Sequence, residues 1–223
     1  MTDLTIIQKI AVWALPLIFA VTLHEVAHGY VAYLLGDYTA KLSGRLSLNP
    51  IKHIDPVGTI VVPLLMMLVS NFIFGWAKPV PVDARNFKHP KKDMALVALA
   101  GPLSNLVMAF LWGLIAKMGL IADASGNEWL GLPLAYMGSV GILINVVLGV
   151  LNLIPIPPLD GGKVLEALLP NRAAHTFSLL EPYGFYILIA LMLTGMLSSV
   201  ISPFVFLIGD MIGNLYGLGN IFG

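Results

Sequence analysis

His24, Glu25 and His28 form a His-Glu-x-x-His pattern inside the apolar stretch Ala20 to Tyr30. On a helix, positions four apart lie one turn above the other on one face, so two imidazoles so spaced can hold one zinc ion. Glu25, one step round, can reach a water at that ion and serve as its general base. Ionisable residues in a membrane helix are costly, and three within five residues are a functional signal by default. The bland alternative is a pair of helix histidines satisfied by carbonyls or lipid headgroups.

A catalytic zinc usually takes three protein ligands and keeps one position for water, and two histidines with one carboxylate is a known set. The candidate third ligand is Asp160, in Asn152-Leu153-Ile154-Pro155-Ile156-Pro157-Pro158-Leu159-Asp160-Gly161-Gly162. Three prolines followed by two glycines must unwind a helix, and irregular backbone at membrane depth is tolerated only against protein or a water-filled cavity. Asp160 is therefore presented beside polar space. By spacing alone, the alternative reading is an Asp-Gly turn or a helix N-cap for the segment starting at Gly161.

The elements that must position these residues are membrane spans. Of 223 residues, 58% are hydrophobic and 11% charged, too apolar for a soluble globule. Net charge is zero, with basic residues in separated clusters, which disfavours a nucleic-acid groove. There are no cysteines, so disulfides and thiolate metal sites are excluded. Apolar runs cover about 6–35, 57–76, 94–118, 133–156 and 183–208. The first reads as a retained span rather than a removable signal. Weak alternation over 38–55 and the proline-broken segment 75–82 predict short strands forming a small sheet at the membrane surface.

Basic residues prefer the cytoplasmic side. They flank the 57–76 run on both sides, as Lys41, Arg45 and Lys52 before it and Lys78, Arg85, Lys88, Lys91 and Lys92 after it. That pattern suits a re-entrant or surface-lying element. The expected fold is an all-α polytopic membrane protein with about four transmembrane helices, this extra element, and the small sheet. It forms one domain over 1–223, with a core at 17–162 and a C-terminal span at 183–208. Both motifs lie toward the C-terminal ends of their spans, so those spans must run in the same direction for His24, His28 and Asp160 to share a depth. The N-terminus is then outside and the metal nearer the cytoplasmic face.

Three motifs carry a resemblance when taken in order: His24-Glu25-x-x-His28, Ala100-Gly101-Pro102-x-x-Asn105 and Asn152-x-x-Pro155-x-Pro157-Pro158-x-Asp160-Gly161-Gly162. The sequence resembles the site-2 protease family of intramembrane zinc metalloproteases, peptidase family M50, in its compact prokaryotic branch without PDZ or CBS domains. The resemblance implies one zinc ion held by His24, His28 and Asp160, with Glu25 as base. It also implies that Asn152 hydrogen-bonds an extended substrate backbone, with Asn105 a second candidate for substrate binding. The expected partners are the lipid bilayer and a transmembrane segment of a membrane-protein substrate, in a prokaryotic cytoplasmic membrane. Two other readings are a catalytically silent relative that binds membrane helices and a zinc transporter; an intact Glu25 disfavours the first and the lack of repeats the second. His53 reads as a loop histidine.

Overall fold

The computed structural model describes residues 5–61 and 77–219. Among them the α-helices are α1 (Ile6–Leu34), α2 (Thr39–Leu42), α3 (Pro90–Ala124), α4 (Glu128–Asn152), α5 (Asp160–Leu168), α6 (Asn171–Ser178), α7 (Glu181–Leu193) and α8 (Met196–Tyr216). Single helical turns occur at Pro50–His53, Pro56–Val61 and Ala84–Asn86. By length and composition, α1, α3, α4 and α8 can each cross a membrane.

α1 opens with a capping box. Thr5 accepts from the Gln8 amide while the Gln8 side chain accepts from Thr5 N–H, satisfying two otherwise orphaned donors. α3 and α4 form a tight antiparallel hairpin. A Cβ at Gly138 would collide with Ala116 backbone, and one at Gly119 with Ala135 backbone, so glycine is what allows these helices to touch. Ala109, Trp112, Ile142 and Val146 fill the seam, and Val205 and Ile212 of α8 close it from one side.

α1 lies across this hairpin. Val12 near its start packs with Leu132, Tyr136 and Val140 in the first half of α4, so α1 and α4 run in the same direction. Ala32 near its end packs with Phe87, just before α3, and with Val97 near the start of α3, so α1 and α3 are opposed. The chain therefore leaves α1 and enters α3 at the same end of the bundle, and the Lys78 amide donates to the His53 carbonyl at 3.0 Å across the base of the connection. The re-entrant or surface element expected at 57–76 falls mostly outside the described residues, which resume at Ala77.

The expected sheet is not supported: among the described residues there are no strands. Residues 39–42 are helical, and Leu42 and Leu48 are both exposed, so the weak alternation does not mark a buried face. Residues 77–83 form no regular element, and Pro79 and Pro81 have no N–H for a ladder. Side chains use the remaining groups instead. The Arg45 guanidinium donates to the Lys78 and Pro79 carbonyls, at 2.7 and 3.3 Å, and Val80 N–H donates to Glu25.

The last apolar run is two helices rather than one span over 183–208. α7 ends at Leu193, Gly195 takes the left-handed φ of 73°, and α8 starts at Met196. Thirteen residues make a helix of about 20 Å, too short for a hydrocarbon core of about 30 Å. The 21 residues of α8 span about 32 Å, long and apolar enough to cross.

Candidate metal centre

α1 places His24 and His28 on one face, where their rings meet edge to face with centroids 4.6 Å apart. α4 ends at Asn152, the proline-rich segment turns the chain, and Asp160 opens α5 facing both histidines. Its Oδ2 lies 3.1 Å from His24 Nε2 and 3.2 Å from His28 Nε2, and the two Nε2 atoms are 3.0 Å apart. Residues over 100 positions apart in sequence thus bring three ligand atoms to one point.

The chemistry of that donor set decides what fits between them. His28 Nδ1 is 2.7 Å from the Val97 carbonyl, which can only accept, so the proton of His28 is on Nδ1. His24 Nδ1 is 2.6 Å from Asn105 Oδ1, another acceptor. Both Nε2 atoms therefore carry lone pairs, and they face each other and a carboxylate oxygen. Asp160 Oδ2 is buried and, among the described residues, takes no hydrogen bond. Three electron-pair donors at such distances repel unless a cation sits among them. Tetrahedral zinc with bonds of 2.0–2.1 Å separates its ligands by about 3.3 Å, close to the spacing found. These three residues, and among the described residues only these, form a group able to hold a metal.

Close approach of α3 is part of the site. A Cβ at Gly101 would collide with His28 Nε2 and the His24 ring, so only glycine leaves the ligand atoms their room.

A groove of about 840 Å³ opens beside the centre, lined by Glu25, Val80, Asn152, Lys163 and Phe185 among others. Glu25 Oε2 accepts from Val80 N–H at 2.8 Å, which fixes the carboxylate at the groove wall. Asn152 lines the groove, with its amide donating to the Leu148 carbonyl of its own helix at 3.0 Å. Asn105 does not reach it. That residue has no solvent exposure and spends its oxygen on His24, so the substrate role expected for it has no surface to act through. His53 is a buried loop histidine bonded to the Ser47 carbonyl at 2.8 Å, away from the groove.

Sequence reasoning missed Asn145, Val80 and the steric role of Gly101. Asn145 carried a signal: it is an amide inside an apolar run, two helical turns before Asn152. Val80 carried none, because its contribution is backbone.

Helical spans around a buried two-histidine, one-carboxylate centre, with a glutamate on a groove beside it, define a membrane metallohydrolase. Comparison narrows the class. The family model described as Peptidase family M50 matches residues 118–195, which include Asp160 and begin after the histidine pair. "Putative zinc metalloprotease YwhC" of Bacillus subtilis (strain 168) is 44% identical over 190 residues, covering 84% of this chain and 82% of that protein. Rip2 of Mycolicibacterium smegmatis, which carries the same designation, is 30% identical over 208 residues, or 93% of this chain and 74% of its own length. "Zinc metalloprotease MJ0392" of Methanocaldococcus jannaschii is 28% identical over 175 residues, covering 77% of this chain and 39% of that protein. No solved structure matches. The chain belongs to peptidase family M50.

Proposed function

We propose that this zinc metalloprotease hydrolyses peptide bonds within transmembrane segments of other membrane proteins, as one membrane-embedded domain. His24, His28 and Asp160 hold the ion, and Glu25 is the base. The observation that carries this reading is the convergence of three electron-pair donors beside a groove whose wall presents Glu25.

When bound, zinc lowers the pKa of water to about 7 and polarises a carbonyl as a Lewis acid. The chain's residues do the rest. Glu25 takes the proton of the attacking water and passes it to the departing amide nitrogen, so the carboxylate is regenerated when the C–N bond breaks. Val80 N–H, bonded to Oε2, holds the carboxylate aimed along the groove while Oε1 remains to accept the proton. The apolar groove walls Val21, Val97, Leu148 and Phe185 suit a membrane-derived segment, and Asn152 offers a hydrogen bond to backbone released from its helix. Helical backbone has no free groups to offer, so the substrate must unwind locally before it is cut.

The distribution of basic residues supports a centre nearer the cytoplasmic face of a prokaryotic membrane, and release of a regulatory fragment is the biological outcome this reading implies. Purified wild type and Glu25→Gln, offered a panel of single-span segments in detergent, test it. One zinc per chain in both, with cleavage inside a span by wild type alone, is the expected result. Equal cleavage by Glu25→Gln would overturn the role of the base, and transport or helix binding unchanged by that substitution would favour the non-hydrolytic readings.

A further inference from the structure

Behind the metal centre runs a chain of buried amides whose polarity is set from both sides. The Gly141 carbonyl can only accept, so Asn145 turns Nδ2 toward it at 2.9 Å and leaves Oδ1 facing Asn105. Asn105 Nδ2 meets that oxygen at 3.1 Å and the Ala20 carbonyl, a second obligatory acceptor, at 3.2 Å. Both amide protons of Asn105 are then committed. Its Oδ1 is left as the acceptor 2.6 Å from His24 Nδ1, which must carry the ring proton. The lone pair of His24 is thereby placed on Nε2, toward His28 and Asp160.

We propose that Asn105 and Asn145 are positioning residues for the zinc centre: Asn145 locks the Asn105 amide, and Asn105 locks the ring and tautomer of His24. The inference rests on the assignment of zinc to His24, His28 and Asp160. Neither asparagine lines the groove, and both are wholly buried, so each acts only through its neighbour. His28 needs no such relay because a backbone carbonyl, that of Val97, does the same task. At His24 an amide suits the site where an ionised carboxylate would not, since it must accept on one side and donate to two oxygens on the other.

The test is zinc affinity by chelator competition and the absorption spectrum of the cobalt-substituted protein, for wild type, Asn105→Leu, Asn145→Leu and the double variant. Loss of a partner behind a metal-bound histidine weakens metal binding about 10- to 100-fold, which is expected for Asn105→Leu together with an altered cobalt spectrum. Asn145→Leu has a smaller effect, because the Ala20 carbonyl still holds one Asn105 proton. The double variant binds zinc no more weakly than Asn105→Leu alone, because Asn145 acts only through Asn105, whereas a separate action of Asn145 on the centre would add to the loss.

Wild-type affinity and spectrum in Asn105→Leu, or additive losses in the double variant, would overturn the proposal and leave the zinc assignment standing. A wild type that binds no zinc would overturn both. Independently of any variant, nitrogen NMR of histidine-labelled, zinc-loaded wild type should find His24 protonated on Nδ1. Protonation on Nε2 would refute the relay.

Discussion

Asn105 and Asn145, deep between α1, α3 and α4, form a line in which each amide hands one interaction to the next and the last reaches His24. Asp37, at the junction where α1 meets the segment before α3, is as fully buried but works as a hub. Its carboxylate accepts from the Thr39 amide and hydroxyl, from Asn86 and from the Asp83 amide. A line transmits orientation from one link to the next; a hub ties several segments together at one point. The metal centre depends on the first arrangement, and the segment that carries Val80 to Glu25 depends on the second.

The largest effect should come from crowding the metal end of the line. Gly101→Ala pushes a methyl group into His28 Nε2 and the His24 ring. It is expected to weaken zinc by more than the roughly 100-fold that loss of an outer partner costs, with helical content retained by circular dichroism. Wild-type zinc affinity in that variant would contradict the packing described.

Val80→Pro removes the backbone donor to Glu25 Oε2 and extends an existing proline run. Hydrogen bonds to charged groups contribute about 1.5–3 kcal/mol, so kcat should fall about 10-fold or more while bound zinc is unchanged. A fall in zinc content instead would mean that the segment supports the metal centre rather than the base.

Asp37→Ala releases the hub, and protection of the Asp83 amide from hydrogen exchange should drop about 10-fold or more, with zinc affinity nearly unchanged. If zinc affinity fell in parallel, the two networks would not be separate devices.

The smallest effect is that of pH. Burial alone would raise the Asp37 carboxyl, but the bonds from Thr39, Asp83 and Asn86 outweigh it and hold the group below the usual carboxylate range. A carboxyl lowered on folding stabilises fully above its unfolded value of about 3.9, and that contribution is lost as pH falls through the folded value. Protection of the Asp83 amide relative to Asp37→Ala should therefore be flat from pH 7 to about 5 and shrink below about pH 4. A decline already complete at pH 5 would reverse the sign of the shift.

The candidate histidine ligands and the candidate base were legible because helical spacing alone puts His24 and His28 on one face and puts Glu25 beside them. Asp160 was legible because prolines and glycines announce broken backbone, though spacing allowed a turn or cap as well. Asn105 was noticed for its motif and given the wrong surroundings, since only the crossing of α1 over α3 reveals that its side chain is sealed behind His24. Asn145 stayed hidden because one amide in an apolar run has the same pattern whether it packs or orients a neighbour. The expected sheet rested on alternation and prolines, which mark extended chain but not what pairs with it; here Arg45 and Glu25 take that place. The break at Gly195 was hidden by hydropathy, which stays high through α7 and α8 alike and does not register a left-handed residue.

X-ray absorption at the zinc edge of the purified, metal-loaded protein tests the central claim most directly. Two imidazole nitrogens at 2.0–2.1 Å with oxygen ligands completing four-fold coordination is the expected first shell, reduced to one imidazole in His24→Ala. A first shell of oxygen alone, or one unchanged by His24→Ala, would contradict it.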